Sequence, residues 1–85
     1  MGSQIYIINQ DRTKLVTLDT IEITNIFTRE DDQSTYEDPN HAKIIVNKEE
    51  FGFGTTDLVH RVFTKILESI ANWCCLIDLS ILLNE

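Results

Sequence analysis

Basic residues are scarce in this sequence, with 7 Lys and Arg against 14 Asp and Glu among 85 residues. Direct binding of DNA or RNA needs Lys and Arg to neutralise phosphates, so the charge balance argues against a nucleic-acid partner. The same shortage argues against docking on anionic lipid. An apolar run long enough to span a bilayer, about 20 residues, is also missing, because Asp78 interrupts the longest one. We therefore expect neither nucleic acid nor membrane as a direct partner.

Side chains that form disulfides or hold metals are few. Cys74 and Cys75 are adjacent, so a disulfide between them would cross-link nothing distant in the chain. His41 and His60 do not fall at the spacing of a zinc site. We expect two buried or half-buried thiols in a reducing compartment, no metal site and no cofactor. The sequence does not open with a basic region and an apolar core, which favours a cytoplasmic location over secretion.

Neither an internal repeat nor a low-complexity tract is present, and 85 residues correspond to one domain. The hydrophobic content of 42% is ordinary for a globular protein and argues against a disordered chain. The patterns described below predict an α+β fold. Residues 1–54 are predicted to form an antiparallel meander of four to five short strands, and residues 55–85 a long C-terminal amphipathic helix packed on one sheet face.

Three short strands are predicted at the start of the chain. Residues 5–8 are rich in β-branched and aromatic side chains, residues 14–18 form a second strand, and residues 21–28 alternate apolar with polar side chains. The turn signal at residues 9–12 and the break at residues 19–20 are both short. Because short connections join antiparallel neighbours, we expect these strands to form a meander.

An acidic segment separates these strands from the next two. Residues 30–50 carry seven acids and two bases, a net charge of −5, whereas residues 1–29 are neutral overall. Residues 29–40 include the only proline and are predicted to be a mobile loop. Further strands are predicted at residues 42–47 and 51–53. The negative charge is therefore concentrated in one stretch of the chain.

The hydrophobic period changes from two to between three and four after residue 55. Thr56 or Asp57 is predicted as the N-cap, and an acid there suits the positive end of the helix dipole. Polar side chains occupy one face of the following segment and apolar ones the other, which predicts an amphipathic helix laid across the sheet. The apolar stripe consists of Val59, Val62, Phe63, Ile66, Leu67 and Ile70.

The apolar segment over residues 71–83 allows two interpretations. If the helix continues, its apolar side chains occupy two faces, and one small sheet cannot cover both. Alternatively, Asn72 ends the helix, and the tail forms a separate short helix or an edge strand.

A contiguous exposed apolar patch marks an interaction site, and a second copy is the simplest partner for a small domain. We therefore predict a protein-interaction module that forms a homo-oligomer, with a dimer as the first expectation. A different protein partner, or a tail folded onto its own core, stays open. The predicted self-association residues are Trp73, Cys75, Leu76, Leu79, Leu82 and Leu83.

No arrangement of residues in the sequence indicates catalysis. Residues 51–56 precede the helix with two glycines, but they match neither Gly-x-Gly-x-x-Gly nor a P-loop. His60 has no serine, cysteine or carboxylate pair in a recognisable order around it. Asp78 is the one acid in an apolar context, which is more typical of a surface or interface position than of acid–base catalysis. We expect no enzymatic activity.

Four segments of the sequence form a recognisable set: Asn-Gln-Asp-Arg at residues 9–12, Lys-Leu-Val-x-Leu-Asp-x-Ile at 14–21, Gly-x-Gly-Thr-Thr at 52–56 and Ile-Leu-Glu-Ser-Ile-Ala at 66–71. In these segments the chain resembles small uncharacterised proteins of low-GC Gram-positive bacteria and their prophages. The resemblance implies a cytoplasmic protein of a bacterium or phage with a meander-plus-helix fold. It implies no catalytic residue and no known activity.

A second functional hypothesis follows from this resemblance and from the acidic loop. Acidic side chains on a compact domain imitate a row of phosphates and are steered quickly to a basic target. The chain would then be a small phage-type inhibitor that binds the basic groove of a nucleic-acid-binding host protein. A solvated loop without a partner is the alternative. The candidate contact residues are Glu30, Asp31, Asp32, Glu37 and Asp38.

Overall fold

The computed structural model describes residues 4–73 and 75–84. This part of the chain contains eight short strands and two helices, so the predicted α+β class is confirmed. The elements in chain order are β1 (Tyr6–Ile8), β2 (Leu15–Thr17), β3 (Ile21–Thr24), β4 (Ile26–Thr28), β5 (Thr35–Glu37), β6 (His41–Val46), β7 (Glu49–Thr55), α1 (Thr56–Ala71), β8 (Leu76–Asp78) and α2 (Leu79–Leu82).

The strands form two three-stranded sheets and one separate hairpin. We call the sheet with the order β2-β1-β8 the terminal sheet; β1 is antiparallel to β2 and parallel to β8. The central sheet has the order β3-β6-β7, and its pairs are antiparallel. The hairpin of β4 and β5, residues 26–37, is called the arm. The described chain is elongated and measures 46 × 22 × 19 Å.

Asn9 builds the turn between β1 and β2. Its Oδ1 accepts hydrogen bonds from the backbone N–H groups of Thr13 (2.8 Å) and Lys14 (3.1 Å), and its Nδ2 donates to the Thr13 hydroxyl (3.0 Å). Arg12 adopts a left-handed backbone conformation with φ 58°. Asn side chains favour turns by this kind of bond to the following backbone. The turn predicted at residues 9–12 is therefore confirmed.

The predicted meander is wrong at its third strand, because β3 pairs with β6 and not with β2. Asn47 redirects the chain: its Oδ1 accepts the N–H groups of Asp19 (2.9 Å) and Thr20 (3.0 Å), and its Nδ2 donates to the Thr17 carbonyl (2.9 Å). Asn47 and Lys48, at φ 52° and 70°, also form the two-residue turn between β6 and β7. The Asn47 side chain, in the β6–β7 turn, thus fixes the connection between β2 and β3 by three hydrogen bonds.

The single strand predicted over residues 21–28 is divided at Asn25. The Asn25 side-chain amide donates to the carbonyls of His41 (2.7 Å) and Asp38 (3.2 Å), and the Asn25 carbonyl accepts the Asp38 N–H (2.9 Å). These bonds join the base of the arm to the start of β6. The chain therefore leaves the central sheet at Asn25 and returns to it at His41.

The prediction that residues 29–40 form a mobile loop is wrong, since β5 lies within them and pairs with β4. Phe27 and Tyr36 stack across this pair, with ring centroids 5.9 Å apart. Aromatic pairs of this geometry stabilise a hairpin beyond the area that they bury. The high polarity of the segment concealed a strand with a single aromatic residue.

Helix α1 begins with Thr55 as its N-cap, one residue before the predicted pair Thr56 and Asp57. The Thr55 hydroxyl accepts the N–H of Leu58 (3.3 Å), and Asp57 lies in the first turn, where a negative charge is favourable. The difference arises because β7 runs directly into the helix, so its last residue also serves as the cap.

One face of α1 packs on β6 and β7 of the central sheet. The predicted stripe is confirmed at Val59, Val62 and Ile66, which are buried, and is wrong at Leu67, which is 49% exposed. The buried helix residues share one core with side chains of the central sheet, the terminal sheet and the α2 region. The other fully enclosed members of that core are Ile7, Ala42, Ile44, Val46, Phe51, Ile77, Leu79 and Leu83.

The long helix predicted over residues 55–85 is also wrong, because α1 ends at Ala71. Asn72 caps this end: its N–H (3.0 Å) and its side-chain amide (2.9 Å) both donate to the Glu68 carbonyl. The chain then forms β8 against β1, and Ile77 is buried beside Ile7. The alternative in which Asn72 ends the helix, and an edge strand or a short helix follows, is confirmed.

Candidate functional site

The outer face of the terminal sheet carries large apolar side chains next to one another. Strand pairing places Tyr6 beside Leu76, and Leu15 lies on the same face one row along. Tyr6 is 42% exposed, Leu15 57% and Leu76 48%, whereas Ile7 on the opposite face is fully buried. We call Tyr6, Leu15, Leu76 and Trp73, which precedes Leu76 by three residues, the outer patch.

Trp73 follows the C-cap of α1 in a left-handed conformation, with φ 57°, and its N–H donates to the Ile70 carbonyl (3.1 Å). This position favours glycine, because a Cβ there costs roughly 1–2 kcal/mol. The indole is 68% exposed, so little of that cost is recovered by burial within the chain. A large exposed aromatic side chain in a costly conformation is typical of a binding residue.

Tyr6 and Leu15 are absent from the self-association residues predicted from the sequence. The sequence does contain a pattern that could have identified Tyr6 and Leu15, because residues 5–8 and 15–18 carry apolar side chains on both faces of a strand. A sheet covered by structure on one face leaves such side chains exposed on the other. We predicted the interface in the tail instead because its apolar run is longer than either of these strands.

Three of the predicted self-association residues do not lie on an exposed surface. Leu79 and Leu83 are 0% and 4% exposed and belong to the core, and Leu82 is half-buried. Asp78 ends β8 and caps α2, which packs on β1. The Leu83 side chain fills the space that a Cβ at Gly52 would need. The prediction that Leu79 and Leu83 form a surface between copies is therefore corrected.

Trp73, Cys75 and Leu76 are exposed, as self-association residues would be. Cys75 is a free thiol, so the expectation of a buried or half-buried side chain is wrong for it. Its carbonyl accepts the Tyr6 N–H (2.9 Å), which places Cys75 at the start of the β1–β8 pairing. Cys74 lies outside the described residues.

Charge is balanced around the outer patch. Residues 4–18 carry a net charge of +1 and residues 75–84 a net charge of −1. Arg12 Nη1 donates to Asp78 Oδ2 at 2.7 Å. Hydrogen bonds from Ser80 and the neighbouring Arg12 hold the pKa of Asp78 below its usual value. This surface is therefore close to neutral in a strongly acidic protein.

The arm places two cations against its aromatic pair. The Arg29 guanidinium lies 4.9 Å from the centre of the Tyr36 ring, and Lys43 Nζ lies 5.3 Å from the centre of the Phe27 ring. Cation–π contacts at exposed sites contribute about 0.5–1 kcal/mol each. The charges that could offset the acids of the arm are thus held on its aromatic face.

The structure separates the predicted acidic contact residues. Glu30, Asp31 and Asp32 are exposed at the end of the arm, and Glu37 is exposed on β5. Asp38 lies at the base of the arm, where it is part of the local hydrogen bonding. The five acids therefore do not form one continuous row.

Two of these carboxylates are held by neighbouring groups. Hydrogen bonds from the Ser34 hydroxyl and N–H lower the pKa of Asp32. The Asn40 N–H, and then His41, lower the pKa of Asp38, whose Oδ2 lies 3.1 Å from His41 Nδ1. Both contacts organise turns, as Asp side chains commonly do.

A cleft of about 320 Å³ lies between the β1–β2 turn and β7. Gln10 crosses it: its N–H donates to the Phe51 carbonyl (2.9 Å), its Oε1 accepts the Phe53 N–H (3.0 Å), and its Nε2 donates to Asn84 Oδ1 (3.3 Å). The polar groups of this cleft therefore attach the terminal sheet to the central sheet.

Among residues 4–73 and 75–84, no group of three His, Cys, Asp or Glu side chains is placed to hold a metal ion. None of the helices in that described part is long and apolar enough to cross a membrane. Comparison with protein-family models, with curated proteins and with solved structures gives no match to this chain.

Proposed function

We propose that this chain is a non-enzymatic protein-interaction module that self-associates through the outer patch, in the simplest case as a two-fold dimer. The observation that carries this proposal is Trp73, which is 68% exposed and has a left-handed backbone at φ 57°. Folding alone would favour glycine at this position. A contact with a second molecule would bury the indole and offset the conformational cost.

Other exposed apolar residues support an interface at this place. Leu76 follows it on β8, Tyr6 lies beside Leu76, and Leu15 continues the apolar surface onto β2. Contiguous exposed apolar surface of this kind marks interaction sites, and aromatic side chains dominate their binding energy.

Charge favours a second copy as the partner. The chain carries a net charge of −7, which opposes close approach of two copies over most of their surface. The segments around the outer patch, residues 4–18 and 75–84, sum to zero net charge. Two copies related by a two-fold axis therefore meet here with little repulsion, and one patch is enough to form both halves of the interface.

The test replaces Trp73 by glycine and measures mass and stability together. Trp73→Gly should raise the stability of the monomer by about 0.5–1 kcal/mol, because it relieves the left-handed strain. The same variant should weaken the dimer at least about 30-fold, the loss typical of an aromatic hot spot. Light scattering after size exclusion gives the mass, and urea unfolding of dilute protein gives the stability.

Lys48→Gly is the matched control, because Lys48 also has a left-handed backbone, with φ 70°, but lies in the β6–β7 turn. It should stabilise the monomer and leave the mass unchanged. A wild-type chain that stays monomeric at its highest soluble concentration, at low and at high salt, would contradict self-association. A dimer that survives Trp73→Gly would contradict the outer patch as its interface.

The acidic inhibitor is the second candidate function, and one observation favours it. Pairing of β4 with β5 sets Glu30, Asp31 and Asp32 together at the end of the arm. The chain should then displace a labelled DNA duplex from a basic nucleic-acid-binding protein. Replacing the three acids with amides should abolish the displacement, whereas Glu68→Gln, an exposed acid on α1, should not.

A further inference from the structure

The outer edge of β3 is the open side of the central sheet. β3 pairs with β6 on one side, and in the described part of the chain no strand lies on its other side. After Asn25 the chain continues as β4, which pairs with β5. The uncovered edge of the central sheet therefore runs from Ile21 to Thr24.

The register identifies the backbone groups that point away from the sheet. The Asn47 N–H donates to the Thr20 carbonyl (2.9 Å), and β3 and β6 pair Glu22 with Ile45. Because alternate residues of an antiparallel strand bond to the same neighbour, the N–H and C=O groups of Ile21 and Ile23 face outward.

The alternation changes at Asn25. On the arm the Arg29 N–H donates to the Ser34 carbonyl (2.8 Å) and the Asp38 N–H donates to the Asn25 carbonyl (2.9 Å), so odd-numbered residues bond to β5, whereas even-numbered residues of β3 bond to β6. At this step the Thr24 hydroxyl accepts the Ile26 N–H (3.1 Å). The open ladder of backbone groups is therefore that of Ile21 and Ile23.

Two of the other sheet edges are already used. The edge of β7 bonds to Gln10, through the Phe51 carbonyl (2.9 Å) and the Phe53 N–H (3.0 Å). The Thr17 carbonyl on β2 accepts from Asn47 (2.9 Å). The edge over residues 21–24 contains neither proline nor lysine, the residues that commonly protect edge strands from added strands.

The acidic residues around this edge favour a basic ligand. Residues 18–32 contain five acids and one base, Arg29, which lies 4.9 Å from the centre of the Tyr36 ring. A second copy would bring two such acidic edges together, and like charges across paired strands are unfavourable. A basic strand is complementary to Glu22, which is exposed in the middle of this edge.

We propose that the outer edge of β3 binds an extended basic peptide segment of another protein as an added strand. Its apolar side chains lie on the α1 side, next to the half-buried Ile21 and Ile23, and its Lys or Arg side chains lie on the Glu22 side. Backbone hydrogen bonds provide affinity and alternate side chains provide specificity, as in other cases of strand addition. This inference is independent of the outer patch.

The first test uses a fluorescent peptide of alternating Val and Lys, acetylated and amidated, and the wild-type chain. One form is N-methylated at every Val and another at every Lys, so that only one form loses the N–H groups that face the edge. Anisotropy should show that one methylated form binds at least about tenfold more weakly than the parent, and that the other binds like the parent. Equal loss in both forms, or in neither, would overturn strand addition.

The second test places the peptide on this edge. Glu22→Lys should weaken binding about fivefold, while Glu68→Lys, the same charge change on an exposed position of α1, should change it less than about twofold. Equal weakening by the two variants would mean unspecific charge attraction and would overturn the proposal. Trp73→Gly should still bind the peptide, so failure of the self-association proposal and failure of this one are distinguishable.

If a wild-type dimer is dissociated by Glu22→Lys and not by Trp73→Gly, a second copy occupies the edge and the proposal is overturned. Absence of any measurable binding by the parent peptide would overturn it as well. Binding that follows the methylation pattern and the Glu22 charge supports it.

Discussion

The terminal sheet and the arm lie on one short chain and present opposite chemistry. The segments that build the outer face of the terminal sheet carry zero net charge and expose Tyr6, Leu15 and Leu76. The arm and its flanks carry most of the excess acid, and its aromatic side chains are covered by Arg29 and Lys43. A net charge of −7 is thus an average over two unlike surfaces, and it predicts the partner of neither.

The two regions also differ in how they are held. The terminal sheet pairs β1 with β8 and contributes Ile7 and Ile77 to the common core. The arm depends on one stacked aromatic pair, with Asn25 at its base. We therefore expect the terminal sheet to unfold with the whole domain and the arm to open by itself.

The largest expected effect separates the core beside the terminal sheet from the outer face of that sheet. Leu79→Asp places a charge at a fully buried position and should lower the free energy of unfolding by at least about 4 kcal/mol. Leu76→Asp, at a position that is 48% exposed, should cost less than about 1 kcal/mol. Urea unfolding followed by circular dichroism measures both. Similar losses would contradict the assignment of Leu79 to the core and Leu76 to the surface.

The link between the two sheets is tested at Asn47. Asn47→Ala removes three side-chain hydrogen bonds and leaves alanine in the left-handed conformation at φ 52°. We therefore expect the free energy of unfolding to fall by about 2–3 kcal/mol. Asn47→Gly removes the same bonds but accepts the backbone conformation, and should cost about 1 kcal/mol less. Equal values for the two variants would mean that backbone strain contributes nothing at this turn.

Independent opening of the arm is tested at Tyr36. Tyr36→Ala removes the ring that contacts Phe27 and Arg29, and should destabilise the arm locally by about 1 kcal/mol. Amide hydrogen exchange should speed up within residues 26–37, while the global urea midpoint hardly moves. A clear fall in the global midpoint would mean that the arm is part of the cooperative unit.

The smallest effect concerns Asp78, whose pKa is lowered in the folded chain by Ser80 and Arg12. A carboxyl with a lowered folded pKa stabilises the fold above its unfolded pKa, and this contribution is lost as the pH falls through the folded value. The wild type should therefore lose more stability than Asp78→Asn between neutral pH and pH below about 3. Asp11→Asn, in the nearby β1–β2 turn, controls for removal of a charge. Parallel curves for the wild type and Asp78→Asn would contradict this role.

Local signals account for the parts of the fold that the sequence predicted well. Apolar spacing identified the buried face of α1 at Val59, Val62 and Ile66, and the turn at Asn9 followed from its side-chain chemistry. Both depend on residues within a few positions of one another. The same reasoning missed β5, because a strand of three residues with one aromatic side chain carries almost no periodic signal.

The candidate sites were predicted only in part, because exposure in the tail depends on contacts between residues that are distant in the sequence. Trp73, Cys75 and Leu76 are exposed, but Leu79 and Leu83 are in the core. Whether an apolar side chain of the tail is inside or outside depends on the pairing of β8 with β1, which brings Leu76 beside Tyr6 from the other end of the chain. Hydrophobicity alone cannot distinguish the two faces.

By itself, the sequence determined the α+β class, the start and the buried face of one amphipathic helix, and the concentration of acid in residues 30–50. These follow from side-chain chemistry and from local periodicity. The tertiary structure decided that β3 pairs with β6, that the tail adds a parallel strand, and that Trp73 and the edge of β3 are left uncovered. Strand partners are chosen by contacts between distant residues, such as those of Asn47 with the β2–β3 link, and no local pattern records them.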